Sequence, residues 1–382
     1  MMRNPLEGQF TLGVEEEFQI VDGQTWELRS YVSRLLEDGK AILRERVRPE
    51  MHQSVVEIGT GVCQTVGEIR DELAEMRVEL DRIARQGGMR IVGAGTHPFS
   101  DWKSQDITNH DRYHAIVEDM QDVARANLIF GLHVHVGIKE KEVAIQMANQ
   151  LRYFLPHLLA LSTSSPLWLG RASGQHSTRS LLFKRFPRTG IPGVFESYSQ
   201  FKEYVDLLIK TNTIDNGKKI WWDVRAHYLY DTVEVRICDM PTRLEHSVAL
   251  AALIQALTAQ LYLLYRHNMA WRTYPSALIE ENKWRACRYG RHARLIDFGE
   301  QRERPFPELL DELLAFVSEA AALLGTEKEV AAVRKILEEG TSSDHQLRIF
   351  KETNDARAVV RWLVDETMAG LGPNAGTVQR SA

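Results

Sequence analysis

The sequence predicts an α+β fold, a mainly antiparallel sheet with helices on one face and an open opposite face. Three observations predict it. Short runs in which apolar and ionisable residues alternate recur between residues 11 and 239, helical periodicities lie between them, and the C-terminal third is mostly helical in pattern. Strands that carry one apolar and one polar face suit an antiparallel sheet covered on one side only.

The strand-like runs are Thr11–Asp22, Ser54–Gly59, Arg90–Ala94, Leu132–Ile138, Ile220–His227 and Thr232–Asp239. The clearest helix covers residues 65–86, where Ile69, Leu73, Met76, Leu80 and Ile83 recur at spacings of 4, 3, 4 and 3. Thr65 with Glu68 predicts a capping box, and Gly87-Gly88 a stop. Further helices are expected near 140–161, 244–266, 307–324, 327–338 and 356–369. Two long polar stretches, Thr96–Arg112 and Gly170–Ser199, fit neither period and read as binding loops or lids. With no repeat, low-complexity block or Pro/Gly-rich linker, residues 1–370 read as a single domain and 371–382 as a loose tail.

Composition narrows the class. Across 382 residues, 47 Lys+Arg against 52 Asp+Glu give a net charge of −5, too balanced for recruitment to nucleic acid or membrane by bulk charge. Cys63, Cys238 and Cys287 lie far apart, which excludes a disulfide scaffold or zinc knuckle and suits a reducing cytosol. The N-terminus has no apolar segment of a secretory signal. The longest apolar run, Val248 to Tyr265, is interrupted by Gln255 and Gln260 and reads as a buried helix rather than a membrane span. A cytoplasmic protein is expected, with a homodimer as the default assembly because symmetric pairs are commonest.

Side chains alternate faces along a strand, so parity sorts them. Leu12, Val14, Phe18 and Ile20 oppose Glu15 and Glu17; Val56 and Ile58 oppose Glu57; Val134 and Val136 oppose His133 and His135. Val233, Val235 and Ile237 oppose Glu234 and Arg236, and Trp222, Val224 and Ala226 oppose Asp223, Arg225 and His227. If these strands share a sheet, its polar face gathers carboxylates, imidazoles and arginines with no lysine. Clustered carboxylates repel one another unless cations sit between them, and a mainly carboxylate set favours Mg²⁺ or Mn²⁺ over zinc. Such a set with interspersed arginines is equipment for phosphoryl transfer from a nucleotide. No GxxxxGK[ST] or GxSxG occurs, and VGAG at 92–95 is too short for a dinucleotide fingerprint. The His133-x-His135 pair keeps a metal hydrolase open as an alternative, although the helical C-terminal third does not supply a (β/α)₈ alternation. Of the two, His135 is the expected ligand and His133 its support.

GVEEEF at 13–18, GLHVHVGI at 131–138, FPRTGIPG at 186–193, WWDVRAHYLYDTVEVRICD at 221–239 and ENKWRACRYG at 281–290 occur in that order. With them the chain resembles the carboxylate–amine ligases of the glutamate–cysteine ligase type 2 family. The resemblance implies a curved sheet with helices on its convex face, like the glutamine synthetase catalytic domain. It also implies an ATP- and Mg²⁺-dependent ligase that phosphorylates a carboxylate, glutamate in the glutathione-type enzymes, and joins it to an amine such as that of cysteine. By that resemblance Glu15, Glu17, Glu57, His135 and Glu234 are metal or phosphate-site ligands, and Arg236 and Arg225 act on the transferring phosphoryl or the substrate carboxylate. Arg179, Arg188, Asn282 and Arg285 are nucleotide or substrate contacts. A nucleotide-binding protein without catalysis, built on the same fold, is a further alternative.

Overall fold

A computed structural model describes Leu6 and residues 8–43 and 46–371, the side chains of 39–43 excepted. The tail expected from 371 onward therefore lies, past Leu371, outside the described residues.

Seven strands form one sheet: β1 (Leu12–Asp22), β2 (Val47–Pro49), β3 (Val55–Gly59), β4 (Met89–Val92), β5 (Leu132–Gly137), β6 (Val224–Ala226) and β7 (Thr232–Val235). Their order is β6-β7-β5-β1-β3-β2, and every pairing is antiparallel. The long β1 is the organiser. One of its edges pairs with β3, and the other pairs with β5 over Leu12–Glu16 and with β4 over Gln19–Asp22.

The predicted alternation is realised. On the covered face, Leu12, Val14, Phe18, Ile20, Val56, Ile58, Val134, Val136, Val233 and Val235 are almost wholly buried. Helices α1 (Val66–Gln86), α2 (Lys141–Leu151), α3 (Leu244–Arg266) and α6 (Ala356–Thr367) pack there: α1 on β1, β3 and β4, α2 on β6 and β7, α3 on β5 and β1, and α6 on β4. Two more helices, α4 (Ser276–Tyr289) and α5 (Phe306–Phe316), belong to the C-terminal layer. Helix α3 is long and apolar enough to cross a membrane by length and composition, but it is buried along most of its length inside the fold. Each fully buried leucine there contributes about 1.5–3 kcal/mol, which makes α3 the central support of the sheet.

The capping box of α1 is shifted. Thr65 Oγ1 accepts from Glu68 N at 3.2 Å as expected, but the Glu68 carboxylate takes the N–H of Gln64 instead of closing on Thr65. Ile220–His227 is not one strand. Trp221–Trp222 pairs in parallel with Thr189–Gly190, and the chain kinks at Asp223 before β6. Gly170–Ser199, expected as a loop, contains the helix Thr178–Phe183. Sequence periodicity also missed β2, whose three residues end in Pro49 at the sheet edge, where proline is tolerated. It missed the helices Val32–Leu43, Asp111–Met120, Tyr198–Lys210, α4 and Ser342–Thr353, and the hairpin Arg294–Asp297/Arg302–Pro305.

Thr96–Arg112 is tied down by a buried histidine. His97 Nε2 donates to Trp26 O at 3.0 Å, while Nδ1 accepts from Ser100 N at 2.9 Å and Phe99 N at 3.2 Å. Both nitrogens are thus committed to the neutral ring, and burial holds its pKa down at about 3. His52, whose Nε2 donates to Arg125 O, is likewise depressed by burial to about 4. These folded pKa values lie below the roughly 6.5 of an unfolded histidine, so the unfolded chain binds the extra protons. The stability these two histidines contribute is fully present above about pH 6.5 and is lost as pH drops toward 4. Urea midpoints across that window read it as the difference between the wild-type chain and a histidine variant, each histidine contributing up to about 1.4 kcal/mol per pH unit. In His97→Gln the slope should be shallower.

Candidate active site

The register of the sheet assembles the open face. Glu15 stands opposite His133 on β5 and Gly59 on β3, Glu17 opposite Glu57, Glu57 opposite Arg48 on β2, His135 opposite Glu234, and Glu234 opposite Arg225. Cross-strand neighbours share a face, so six strands deliver their ionisable side chains to one place. A cavity of about 280 Å³ opens there, with Glu15, Glu17, Glu57, His133, Arg225 and Arg236 in its lining.

The carboxylates divide into two electrostatic classes. Burial opposes the charge of Glu15, yet His133 Nδ1 at 3.1 Å and His135 Nε2 at 3.8 Å hold its carboxyl well below the usual range. Burial likewise opposes that of Glu234, but Arg225 and Arg236 keep it ionised. Arg225 Nε donates to Glu234 Oε2 at 2.7 Å, and Arg236 Nη1 donates to Oε1. Glu17, Glu50 and Glu57 behave oppositely. Burial raises Glu17 to about 7 with Glu50 adding repulsion, and it raises Glu57 well above the usual carboxylate range with the help of Glu15, Glu50 and Glu17. Glu50 is raised for the same reason. Among the described residues, the one ion-pair partner of Glu57 is Arg48, at 3.9 Å.

This donor set fits divalent cations. Three groups of ligand atoms, each within 4.8 Å of one another, are Glu15–Glu57–His133, Glu15–His135–Glu234 and Glu17–Glu50–Glu57. Buried carboxylates without enough counter-charge stay partly protonated, and a cation among them removes that penalty. The buried His135 Nε2 has no hydrogen-bond partner among the described residues, and it faces Glu15 Oε1 at 3.8 Å and Glu234 Oε1 at 3.9 Å.

Arg179 enters from the helix Thr178–Phe183. Its N–H donates to Ser165 Oγ, which donates to Asp239 Oδ2 at 2.6 Å, and Asp239 Oδ1 accepts from Ser177 Oγ. The guanidinium reaches the carbonyls of Arg236 and Ile237, each at 3.2 Å, and lines the cavity. Gly131 is required beside it: a Cβ there would lie 2.3 Å from Arg179 Nη2, and the Gly131 N–H donates to Glu17 Oε2.

Not every expected residue joins this site. Arg188 donates to Lys219 O and stacks on Trp221, outside the cavity lining. Asn282 is fixed to both backbone groups of Ile296, and Arg285 binds Glu281, Glu303 and Arg294 O, so both brace the hairpin at 294–305. Asp223, expected on the polar face, is turned away by the kink and pairs with Lys283 at 2.6 Å. His133 is as much a candidate ligand as His135, rather than only its support. Sequence reasoning missed Glu50, Arg48 and Arg112. A signal existed in RPE at 48–50, where Arg48 and Glu50 share parity immediately before the strand carrying Glu57. Also missed was the aromatic wall of Tyr113, Phe186 and Trp221, which belongs to a small apolar cluster separate from the main core.

Residues 11–362 match the family described as "Glutamate-cysteine ligase family 2(GCS2)". The chain belongs to glutamate-cysteine ligase family 2. A relative from Sorangium cellulosum (strain So ce56) is 64% identical over 368 residues, covering 96% of this chain and 98% of its own. Another from Solibacter usitatus (strain Ellin6076) is 53% identical over 362 residues, covering 94% of each. Both carry the name "Putative glutamate--cysteine ligase 2". Glutamate–cysteine ligase from Francisella tularensis, solved in complex with AMP, superposes with a TM-score of 0.68 at 12% identity, covering 96% of this chain and 90% of that one. A bifunctional glutathione synthetase from Pasteurella multocida gives 0.69 at 14% identity, and this chain spans about half its length, 53%. Both share the fold. The α+β class expected from the alternating strands is that of glutamate-cysteine ligase family 2, and the chain is a carbon–nitrogen ligase of that family. Within the family motifs, GVEEEF lies on β1, GLHVHVGI spans β5, and the string at 221–239 supplies Arg225, Glu234 and Arg236. A closed barrel, which the hydrolase alternative required, is not formed by the sheet described above.

Proposed function

We propose that the chain is an ATP-dependent carboxylate–amine ligase that activates its carboxylate as an acyl phosphate, releasing ADP and phosphate. One arrangement carries the proposal: three cation-sized groups overlap through Glu15 and Glu57, and Glu15, Glu17, Glu50, Glu57 and His133 from them line a single cavity with the guanidiniums of Arg179, Arg225 and Arg236, while His135 and Glu234 lie behind that lining. The AMP complex of the Francisella tularensis enzyme supports an adenine nucleotide as the partner of this cavity.

Glu15, Glu17, Glu50, Glu57, His133, His135 and Glu234 would hold Mg²⁺, or Mn²⁺ in its place. Bound there, the metal supplies charge neutralisation at phosphate oxygens. Arg236 and Arg225 are preorganised by Glu234, so their positive ends are fixed at the cavity wall before substrate arrives, which is where electrostatic catalysis gains most. Tyr113, Phe186 and Trp221 close the apolar side and shield an acyl phosphate from water. Glutamate and cysteine are the first substrate pair to try, on the names of the relatives. A single domain acting in the cytoplasm as a homodimer completes the reading.

ADP release under Mg²⁺ and ATP tests it, with glutamate alone, glutamate plus cysteine, and then other amines. Release that requires both a carboxylate and an amine is expected. ATP binding without release for any pair would favour a non-catalytic role, and amide cleavage without ATP would favour the hydrolase. In Arg236→Ala, kcat should fall roughly 100-fold while the KM for ATP moves only a few-fold, because a guanidinium acting on developing charge is lost mainly from the transition state. Equal losses in binding and turnover would move Arg236 to a ground-state role.

A further inference from the structure

A second cavity, of about 230 Å³, shares no lining residue with the first. It lies in the C-terminal layer, between the turn Arg152–Phe154, the segment around Trp271, the hairpin at Asp297 and helix α5. Aromatic rings make up much of its lining, together with Leu309 and Leu313. Phe154 and Phe316 stand with planes 10° apart and centroids 5.9 Å apart, Trp271 lies 4.9 Å from each, and Tyr153 lies 5.4 Å from Trp271 and 5.7 Å from Tyr274.

The charged groups in the lining are negative. Asp297 and Glu312 line the cavity, and no lysine or arginine does so among the described residues. Arg304 is shared among three carboxylates, at 2.6 Å from Glu312, 3.4 Å from Asp297 and 3.5 Å from Glu308, so one guanidinium answers three negative charges. Arg272 stacks over Tyr274 at 5.2 Å and Arg152 donates to Tyr274 O, both outside the lining. His157 adds an independent sign of a missing partner. It lines the cavity and is 3% exposed, one ring N–H is given to the Tyr153 backbone, and Nδ1 has no hydrogen-bond partner among the described residues within bonding distance. Burial keeps this imidazole neutral, near a pKa of 4, so one of its nitrogens is an acceptor. Aromatic faces attract cations, and the surrounding carboxylates raise that preference. A neutral hydrocarbon would leave the excess of three carboxylates over the one guanidinium of Arg304 uncompensated, and an anion would be repelled.

We propose that this cavity binds a protonated organic amine, its hydrocarbon body among Phe154, Trp271 and Phe316 and its ammonium toward Asp297, Glu312 and His157. The site is separate from the catalytic face and offers the ligase a place to sense an amine.

Calorimetric titration of the full chain with benzylamine tests this, with benzyl alcohol as the neutral control. One benzylamine per chain is expected, with benzyl alcohol at least about tenfold weaker. Trp271→Leu should weaken benzylamine about tenfold, and Glu312→Gln, at an exposed rim position that leaves folding intact, about threefold. Glu57→Gln in the first cavity should leave this affinity unchanged. Equal binding of benzyl alcohol, undiminished binding in both Trp271→Leu and Glu312→Gln, loss of binding in Glu57→Gln, or no binding up to about 10 mM would overturn the proposal.

Discussion

Replacing Glu15 by glutamine is expected to cut ADP release by roughly two orders of magnitude or more while leaving the fold intact. Glu15 belongs to two of the three cation-sized groups, and both histidines of β5 converge on it. Among the described residues that line the cavity, no other carboxylate is held ionised by two imidazoles, so its charge is available to a metal at neutral pH. Glutamine keeps the size and loses the charge. The Mg²⁺ concentration for half-maximal turnover should rise, and a Mg²⁺ titration of steady-state ADP release measures both effects. Thermal stability without metal should fall slightly, because the fold holds Glu15 ionised against His133 and His135 and glutamine loses that charge. Normal turnover in the variant would remove Glu15 from the metal set.

The second large effect concerns stability. Glu16 lies on the apolar face of β1, yet it is fully buried. Arg77 of α1, also fully buried, grips it with two parallel hydrogen bonds and reaches on to Thr242 O, Thr367 O and Ser247 Oγ. Arg77 also lies over the Phe18 ring at 5.1 Å. One guanidinium thus ties the organising strand to α1, α3 and α6. Breaking a buried pair by removing one partner leaves an uncompensated charge, so Glu16→Ala should cost about 3–5 kcal/mol, read from urea denaturation. The double variant Glu16→Met/Arg77→Met should recover much of that, since well-packed apolar residues often replace a buried ion pair at little cost. If Glu16→Ala costs under about 1 kcal/mol, the pair does not anchor the sheet to its helices.

These two neighbours show where sequence reading works and where it stops. Period-two alternation separated Glu15 and Glu17 from Leu12, Val14, Phe18 and Ile20 correctly, because a strand buried on one face writes that burial directly into its sequence. Glu16 broke the pattern, and nothing local explains it: its partner lies 61 residues away on a helix. The helical stripe of α1 was equally legible, whereas β2 was not, since three residues ending in proline carry no period. Glu50 and Arg48 were lost with it.

By itself the sequence determined the α+β class, the strands that carry ionisable faces, the metal- and phosphate-directed residue types, and the family. Tertiary structure alone decided which of those residues meet. Register set Glu15 against His133 and Glu17 against Glu57, the kink at Asp223 moved that carboxylate to Lys283, and the hairpin at 294–305 claimed Asn282 and Arg285. The physical reason is that periodicity reports how a segment faces its surroundings, while a site depends on distances between segments far apart in the chain, and those follow from strand pairing and packing.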